Sequence, residues 1–275
     1  MKSFYDNMTH RTLMVIGEKA LARLGTVSVI IFGVGGVGSW CAESLVRSGL
    51  VNLTMVDSDI VCPTNINRQI QALARNVGES KVEEMKKRLL EINPQASITA
   101  LHAAYDETSF HTFSLSSYDY VIDAIDSLKN KVLLLEQCVS SGVKIFSSMG
   151  AGAKTDPSKI RIDLLSKTKT CPLARNVRRN LRKKSISTDI MCVYSEELPM
   201  DPAAETVCGS GDCPCAKDRA KFCADHDEAP IDWCGMKKQI NGALVHITGI
   251  FGFMLAGLII NDLKARVEAG EQVHQ

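Results

Sequence analysis

The sequence predicts an α/β fold in which a doubly wound, mostly parallel sheet carries a C-terminal extension, and three observations predict it. An apolar run, Val27 to Phe32, turns through Gly33, Gly35 and Gly38 into a segment with helical spacing. A second apolar run, Asn52 to Val56, ends on Asp57. Strand-like and helix-like stretches then alternate as far as Phe146, the pattern of parallel strands joined by right-handed crossovers. Strands buried on both faces read as continuous apolar runs. Glycines at these three positions permit the tight turn of a Rossmann-like unit and let backbone N–H groups approach an anion at the positive end of a helix. A lone GxGxxG is a weak signal. An acid closing the next strand is where the dinucleotide fingerprint places its ribose-binding group, so Gly33, Gly35, Gly38 and Asp57 together point to a nucleotide site.

With 275 residues and a net charge of +1, the chain can build a large core and carries no overall basic excess that would mark a general polyanion binder. It reads as a single domain, 1–275, with a nucleotide-binding half at 1–150 and a second half at 151–275. Charge is uneven along it. Lys154 to Lys184 is strongly basic, and Asp189 to Asp232 is acidic, which confines any polyanion surface to one segment. The start of the sequence has no apolar leader core, so the expected setting is a reducing, cytoplasmic one. The ten cysteines then read first as thiols, next as metal ligands and last as disulfides.

Taken in order, Arg11 to Leu24 has the spacing of an amphipathic helix or helix pair, with Leu13, Ile16, Leu21 and Leu24 apolar. The polar stretch Ser58 to Asn76 is too long for a plain connection, so it is expected to be functional or to hold short helices of its own. Ser80 to Asn93 is a helix with Val82, Met85, Leu89 and Ile92 on one face, stopped by Asn93-Pro94. Ser97 to His102 and Tyr118 to Asp123 read as strands, Leu128 to Ser141 as a helix, and Val143 to Phe146 as a strand. Ligands of such sheets lie beyond the carboxyl ends of the strands, where Gly35, Asp57 and Asp126 fall. Further on, Ile160 to Leu164 alternates as a strand and Pro172 to Lys184 has helical spacing. Ile240 to Ile260 is long enough to span a bilayer, but Asn241, His246, Thr248 and four glycines interrupt it. A buried or subunit-interface helix is the better reading, with a membrane-attached pool as the alternative.

On the helix at 172–184, Arg175, Arg178, Arg179 and Arg182 fall at i, i+3, i+4 and i+7 and form one basic stripe. A solvated helix face would look the same. Four arginines without an acid among them repel one another unless an anion is bound, so the stripe is expected to contact phosphate or RNA.

The run Asp57-Ser58-Asp59-Ile60-Val61-Cys62-Pro63-Thr64-Asn65-Ile66-Asn67-Arg68-Gln69, with GVGGVG at 33–38, Lys81, and Asp123-Ala124-Ile125-Asp126, resembles the signature of the ubiquitin-activating-type adenylating enzymes. Within that superfamily, RTLMVIGEKAL at 11–21, SMGAGAKTDPSKI at 148–160 and CPLARNVRRNLRKK at 171–184 are similar to the tRNA threonylcarbamoyladenosine dehydratases. The resemblance implies ATP-dependent cyclisation of the threonylcarbamoyl group on the adenosine beside a tRNA anticodon, through a carboxyl-adenylate. It implies ATP and Mg2+ as cofactors and tRNA carrying threonylcarbamoyladenosine as partner. Residue by residue, it implies that Gly35 and Gly36 cradle phosphate, with Gly33 and Gly38 shaping the loop, and that Asp57 holds the ribose with Asp59 beside it. Asn65, Arg68, Gln69 and Lys81 would contact phosphates, Asp126 would hold magnesium, and Arg11 would reach the partner subunit's site in a homodimer.

The chain departs from the family over a Cys-rich, acidic segment at about 192–235. Cys208, Cys213, Cys215, Cys223 and Cys234 lie there without the paired CxxC of the ubiquitin-like-protein activators. Zinc, a sulfur-relay or redox thiol with its protein partner, and an acidic crossing loop all stay open. Three other functions compete. Adenylation of the C-terminus of a ubiquitin-like or sulfur-carrier protein shares the ATP site, and the arginine stripe and missing CxxC pairs speak against it. A silent adaptor has no need of the set Asp57, Arg68, Lys81 and Asp126. A nicotinamide dehydrogenase has no use for Asn65 to Gln69.

Overall fold

The computed structural model describes residues 3–204 and 241–270. Cys208, Cys213, Cys215, Cys223 and Cys234 lie outside the described residues. Within them, seven strands form one sheet: β1 (Ser28–Phe32), β2 (Asn52–Val56), β3 (Ser97–Leu101), β4 (Tyr120–Asp123), β5 (Lys144–Ser148), β6 (Ile160–Leu164) and β7 (Met191–Ser195). Their spatial order is β3-β2-β1-β4-β5-β7-β6. All neighbours are parallel except β6 and β7. Strand order reverses between β1 and β4, and the crevice at such a switch point is where this architecture binds ligands.

Each side of the sheet has its own core. Successive residues of a strand point to opposite faces, and β1 divides accordingly, Val29 and Ile31 to one core, Ile30 and Phe32 to the other. Helices α3 (Glu18–Thr26), α4 (Gly38–Ser48), α5 (Lys81–Ile92) and α8 (Val245–Glu268) cover the first face, and α6 (Leu128–Ser141) and α7 (Pro172–Lys183) cover the second. The helix pair expected over Arg11 to Leu24 is α2 (His10–Ile16) and α3, and a further short helix, α1 (Phe4–Met8), precedes it. Gly17, at φ +81°, makes the break before α3, a conformation that favours glycine. The polar stretch after Asp57 does contain short helices, single 3-10 turns at Pro63–Asn65 and Ala74–Asn76.

β7 is the element that periodicity does not announce. Ile190 to Tyr194 is an apolar run, but Asp189, Glu196 and Glu197 flank it, so it reads as the opening of the acidic segment. Cys192 instead sits within the sheet on its next-to-last strand, opposite Ser147 of β5 and Asp163 of β6. It is wholly buried, which pushes its thiol up to about 12. Such a thiol behaves as a small apolar side chain rather than as a metal ligand.

Helix α8 is long and apolar enough to cross a membrane by length and composition. Here it closes the first core with Ile247, Phe251, Leu255, Ile259 and Leu263, spaced every fourth residue, in accordance with the buried-helix reading. Gly252 lets it approach α4 closely: an added Cβ would lie 2.6 Å from the Val37 oxygen and 2.9 Å from the Cys41 nitrogen. The chain leaving β7 and the chain entering α8 meet on one residue. Ala153, at φ +56°, accepts from the Met200 N–H at 2.9 Å and donates to the Gly242 carbonyl at 2.7 Å. The Glu197 carboxylate fixes the same loop by accepting from the N–H groups of Thr155 and Asp156 at 3.1 and 3.0 Å.

Candidate active site

The glycine loop is built by two steric exclusions. Gly33 follows β1 at φ +90°, and a Cβ there would lie 2.7 Å from the Ala124 carbonyl oxygen, so β1 and the end of β4 meet across this residue. A Cβ on Gly38 would lie 1.8 Å from the Gly33 carbonyl oxygen, which no adjustment of a side chain could relieve. Gly35 and Gly36 are different. A Cβ on Gly35 would meet only the Gln69 amide nitrogen, at 3.8 Å, and one on Gly36 would touch the stem of Arg68 and Thr248 at 3.3 Å.

Helix α4 starts at Gly38, and the first N–H groups of a helix have no partner inside it. Among the described residues, the N–H groups of Gly35, Gly36, Val37 and Gly38 donate to nothing. They form an array of donors at the positive end of a helix, above the switch point, of the kind that holds phosphate. The cradle fits a nucleotide on two counts: it has free donors, and the side-chain space at Gly35 is open.

Around the cradle the structure gathers most of the residues singled out in the sequence. Asp57 closes β2 and accepts from the Val34 N–H at 2.6 Å with one oxygen and from the Asp59 N–H at 2.8 Å with the other. Each oxygen keeps a lone pair for a hydroxyl donor. Burial pushes the Asp57 carboxyl above the ordinary carboxylate range, Lys81 pulls it down, and Asp59 adds to the rise. Lys81 begins α5, buried, with its ammonium 2.5 Å from an Asp59 oxygen. Gln69, also buried, aims its amide at Gly35. The Asn65 side chain accepts from the Cys62 N–H at 3.1 Å and holds the 3-10 turn. Arg68 packs its stem on Gly36, and one guanidinium nitrogen donates to the Thr64 carbonyl at 2.8 Å and to Asn67 at 3.0 Å. Asp126 lies exposed just beyond β4, three residues from the buried Asp123. Among the described residues no three His, Cys, Asp or Glu side chains gather into a metal cluster. Magnesium bound to nucleotide phosphates takes only one or two carboxylates from the protein, so one exposed carboxylate fits it.

Two predicted groups stand apart. Arg11 lies on α2, which buries no residue, beside Met14 and Val15, 75 % and 74 % exposed. On α7, Ala174, Val177 and Leu181 face the core, while Arg175, Arg178, Arg179, Arg182 and Lys183 line an open depression of about 480 Å³. Arg178 differs from its neighbours. It is half-buried, and one guanidinium nitrogen donates to the Thr168 carbonyl at 2.9 Å, to its hydroxyl, and to the Leu165 carbonyl at 3.2 Å. Its charge is spent partly on docking α7, which relieves the repulsion that the spacing alone suggests.

Sequence reasoning gave no role at the site to side chains in three places. Gln71 is buried and donates to the Val34 carbonyl at 2.7 Å, tying the glycine loop to the stretch after β2. Asn67 donates to the Ala243 carbonyl at 2.8 Å, and Thr248 covers Gly36, so α8 supports the loop from about 200 residues away. The third is Lys131, wholly buried against Asp123. Its signal was present: it shares the apolar stripe of α6 with Leu135 and Cys138, and a lysine there needs a buried acid.

The chain matches the model of the ThiF family over residues 9–272. It is 35% identical over 258 residues to tRNA threonylcarbamoyladenosine dehydratase of Bacillus subtilis, covering 94% of this chain and 95% of that one. To the Escherichia coli enzyme of the same name it is 38% identical over 207 residues, 72% of this chain and 76% of that one. It also superposes on the crystal structure of E. coli tRNA N6-threonylcarbamoyladenosine dehydratase in complex with ATP, with a TM-score of 0.80, 29% identity and 98% of both chains covered.

The two kinds of glycine separate in a mutational experiment. Gly35→Ala is expected to leave thermal stability within about 0.5 kcal/mol, as for a substitution in open space, and to weaken ATP binding by filling the cradle. Gly38→Ala is expected to cost about 1–3 kcal/mol or more, because backbone must move. Thermal unfolding and ATP titration of both variants check this, and equal stability losses would contradict the assignment.

Proposed function

This chain belongs to the ThiF family, and from that membership we propose that it is an ATP-dependent tRNA threonylcarbamoyladenosine dehydratase. The carboxylate of the threonylcarbamoyl group attacks the α-phosphorus of ATP and expels pyrophosphate, giving an acyl-adenylate. The modification's own carbamoyl group then attacks the activated carbonyl, loses a proton and expels AMP. The oxygen removed in this net dehydration leaves on AMP. Negative charge develops on phosphoryl oxygens, so the catalytic requirement is fixed donors and cations rather than a nucleophilic side chain.

The observation that carries this reading is the unpartnered N–H array of residues 35–38 with Asp57, Asp59, Lys81, Arg68 and Gln69 gathered around it. In it, Gly35 and Gly36 admit the phosphates, Asp57 accepts from the ribose hydroxyls, and Asn65, Arg68, Gln69 and Lys81 meet phosphate oxygens. Asp59 sets the direction of Lys81. Asp126 would hold magnesium, which neutralises charge on the phosphates when bound. Full-length similarity to named dehydratases supports tRNA over a protein substrate, and a cytoplasmic location accords with α8 lying in the core. The reading predicts pyrophosphate release from ATP in the presence of tRNA carrying threonylcarbamoyladenosine and none with the same tRNA lacking it. Release driven instead by a protein ending in Gly-Gly would replace it with C-terminal adenylation, and release with neither substrate would overturn both.

We assign tRNA phosphate contact to Arg175, Arg179 and Arg182, which are exposed on one side of α7, with Arg178 contributing mainly by holding the helix. Arginine suits this task because its planar fork donates two hydrogen bonds to one phosphate. Replacing the three with alanine is expected to weaken tRNA binding, to leave ATP affinity unchanged and to flatten the log–log salt dependence by about 0.7–0.9 for each phosphate no longer neutralised. Affinities measured at several salt concentrations decide it, and an unchanged slope removes RNA from this helix.

The exposed apolar pair Met14 and Val15 beside Arg11 supports a homodimer in which Arg11 completes the partner subunit's site. Mixing an Arg11→Ala protein with an Arg68→Ala protein should then restore part of the activity that each lacks alone. No recovery after co-refolding would place the whole site in one chain.

A further inference from the structure

Lys131 carries a charge into a place where charge is costly. It and Asp123 are both 0 % exposed. The ammonium donates to an Asp123 oxygen at 2.6 Å and to the Ser148 carbonyl at 2.9 Å. Ser147 donates to the same carboxylate oxygen at 2.5 Å, and the Ile125 N–H reaches the other at 3.1 Å. Desolvating two ions offsets their attraction, so a buried pair of this kind is no more stabilising than apolar side chains of the same volume. Stability therefore does not explain it.

What the network fixes is direction. Asp123 ends β4, and its bond from Ile125 shapes the turn that carries Ala124 onto Gly33 and leads the chain on to Asp126, exposed three residues beyond Asp123. Through the Ser148 carbonyl, the same ammonium ties the end of β5 to the end of β4. We propose that Lys131 is a positioning residue for adenylation, acting through Asp123 and the Ile125 turn to aim Asp126 at the nucleotide phosphates. This rests on the reading of Asp126 as the carboxylate that holds magnesium.

The test exchanges the pair for apolar side chains, Lys131→Met with Asp123→Leu, and follows thermal stability, the kcat and KM for ATP in pyrophosphate release, and the Mg2+ concentration giving half-maximal rate. Unaltered or higher stability is expected. The kcat should fall about 10–100-fold, the loss typical when the supporting partners of a metal ligand are removed, with a higher Mg2+ requirement and a smaller change in KM for ATP. Lys131→Arg, which keeps the cation, should recover more activity than Lys131→Met. Wild-type kcat and Mg2+ dependence in the double variant would overturn the proposal. Should the double variant fail to fold, Ser147→Ala decides: it leaves the ion pair intact but loosens Asp123, so a raised Mg2+ requirement supports the proposal and an unchanged one overturns it. Asp126→Ala run in parallel separates the two levels. If it leaves rate and Mg2+ dependence unchanged, the reading of Asp126 fails; if it alters them and the apolar pair does not, only the role of Lys131 fails.

Discussion

The structure depends on the meeting of β1 and β4 across a residue without a side chain. Gly33 leaves β1 in a left-handed conformation, takes the Val56 carbonyl as acceptor for its N–H at 2.8 Å, and lies under the Ala124 carbonyl. Only because that space is empty can the two central strands end level, and only because Gly38 lies against Gly33 can α4 begin there. The helix's unpartnered N–H groups are thereby turned over the crevice. Asp57 and Lys81 meet beside the loop, and Asp126 follows the end of β4, because their elements are hydrogen-bonded or packed onto these two strands, not because they are close in sequence.

The second half of the chain closes this arrangement from outside. Helix α8 is composed like a membrane span, yet its packing on α4 and the contact of Thr248 with Gly36 make it a wall of the nucleotide loop. One face of it, Ile247 to Leu263 at every fourth residue, is buried in the first core, while Phe253 stays half exposed beside Trp40. The arginines of α7 lie on the opposite face of the sheet from α8. Thr248 braces the glycine loop on one face, while the arginine surface of α7 belongs to the other, next to α6 and its Lys131.

Much of this was legible from residue order alone. Buried parallel strands announce themselves as apolar runs, and Gly33, Gly35, Gly38 and Asp57 occupy positions whose chemistry leaves few substitutes. Helix boundaries came within a residue or two where a proline or a cap set them, as at Pro172 and Asn93. What escaped was whatever depends on a distant partner. β7 was hidden because its apolar core of five residues is flanked by acids that belong to the next stretch. Arg178 has the same spacing as its neighbours and differs in the carbonyls of Leu165 and Thr168 beneath it, and the place of Lys131 on the apolar stripe of α6 calls for a buried acid without saying that it is Asp123. Local periodicity cannot register an interaction whose other half lies elsewhere in the chain.

Ala153 holds two distant points of the chain at once, Met200 through its carbonyl and Gly242 through its N–H. The end of the sheet and the start of α8 are therefore referenced to one another through a single backbone unit held at positive φ. A β-branched side chain is strained in that conformation, so its introduction at this one position would disturb two distant parts of the fold at once.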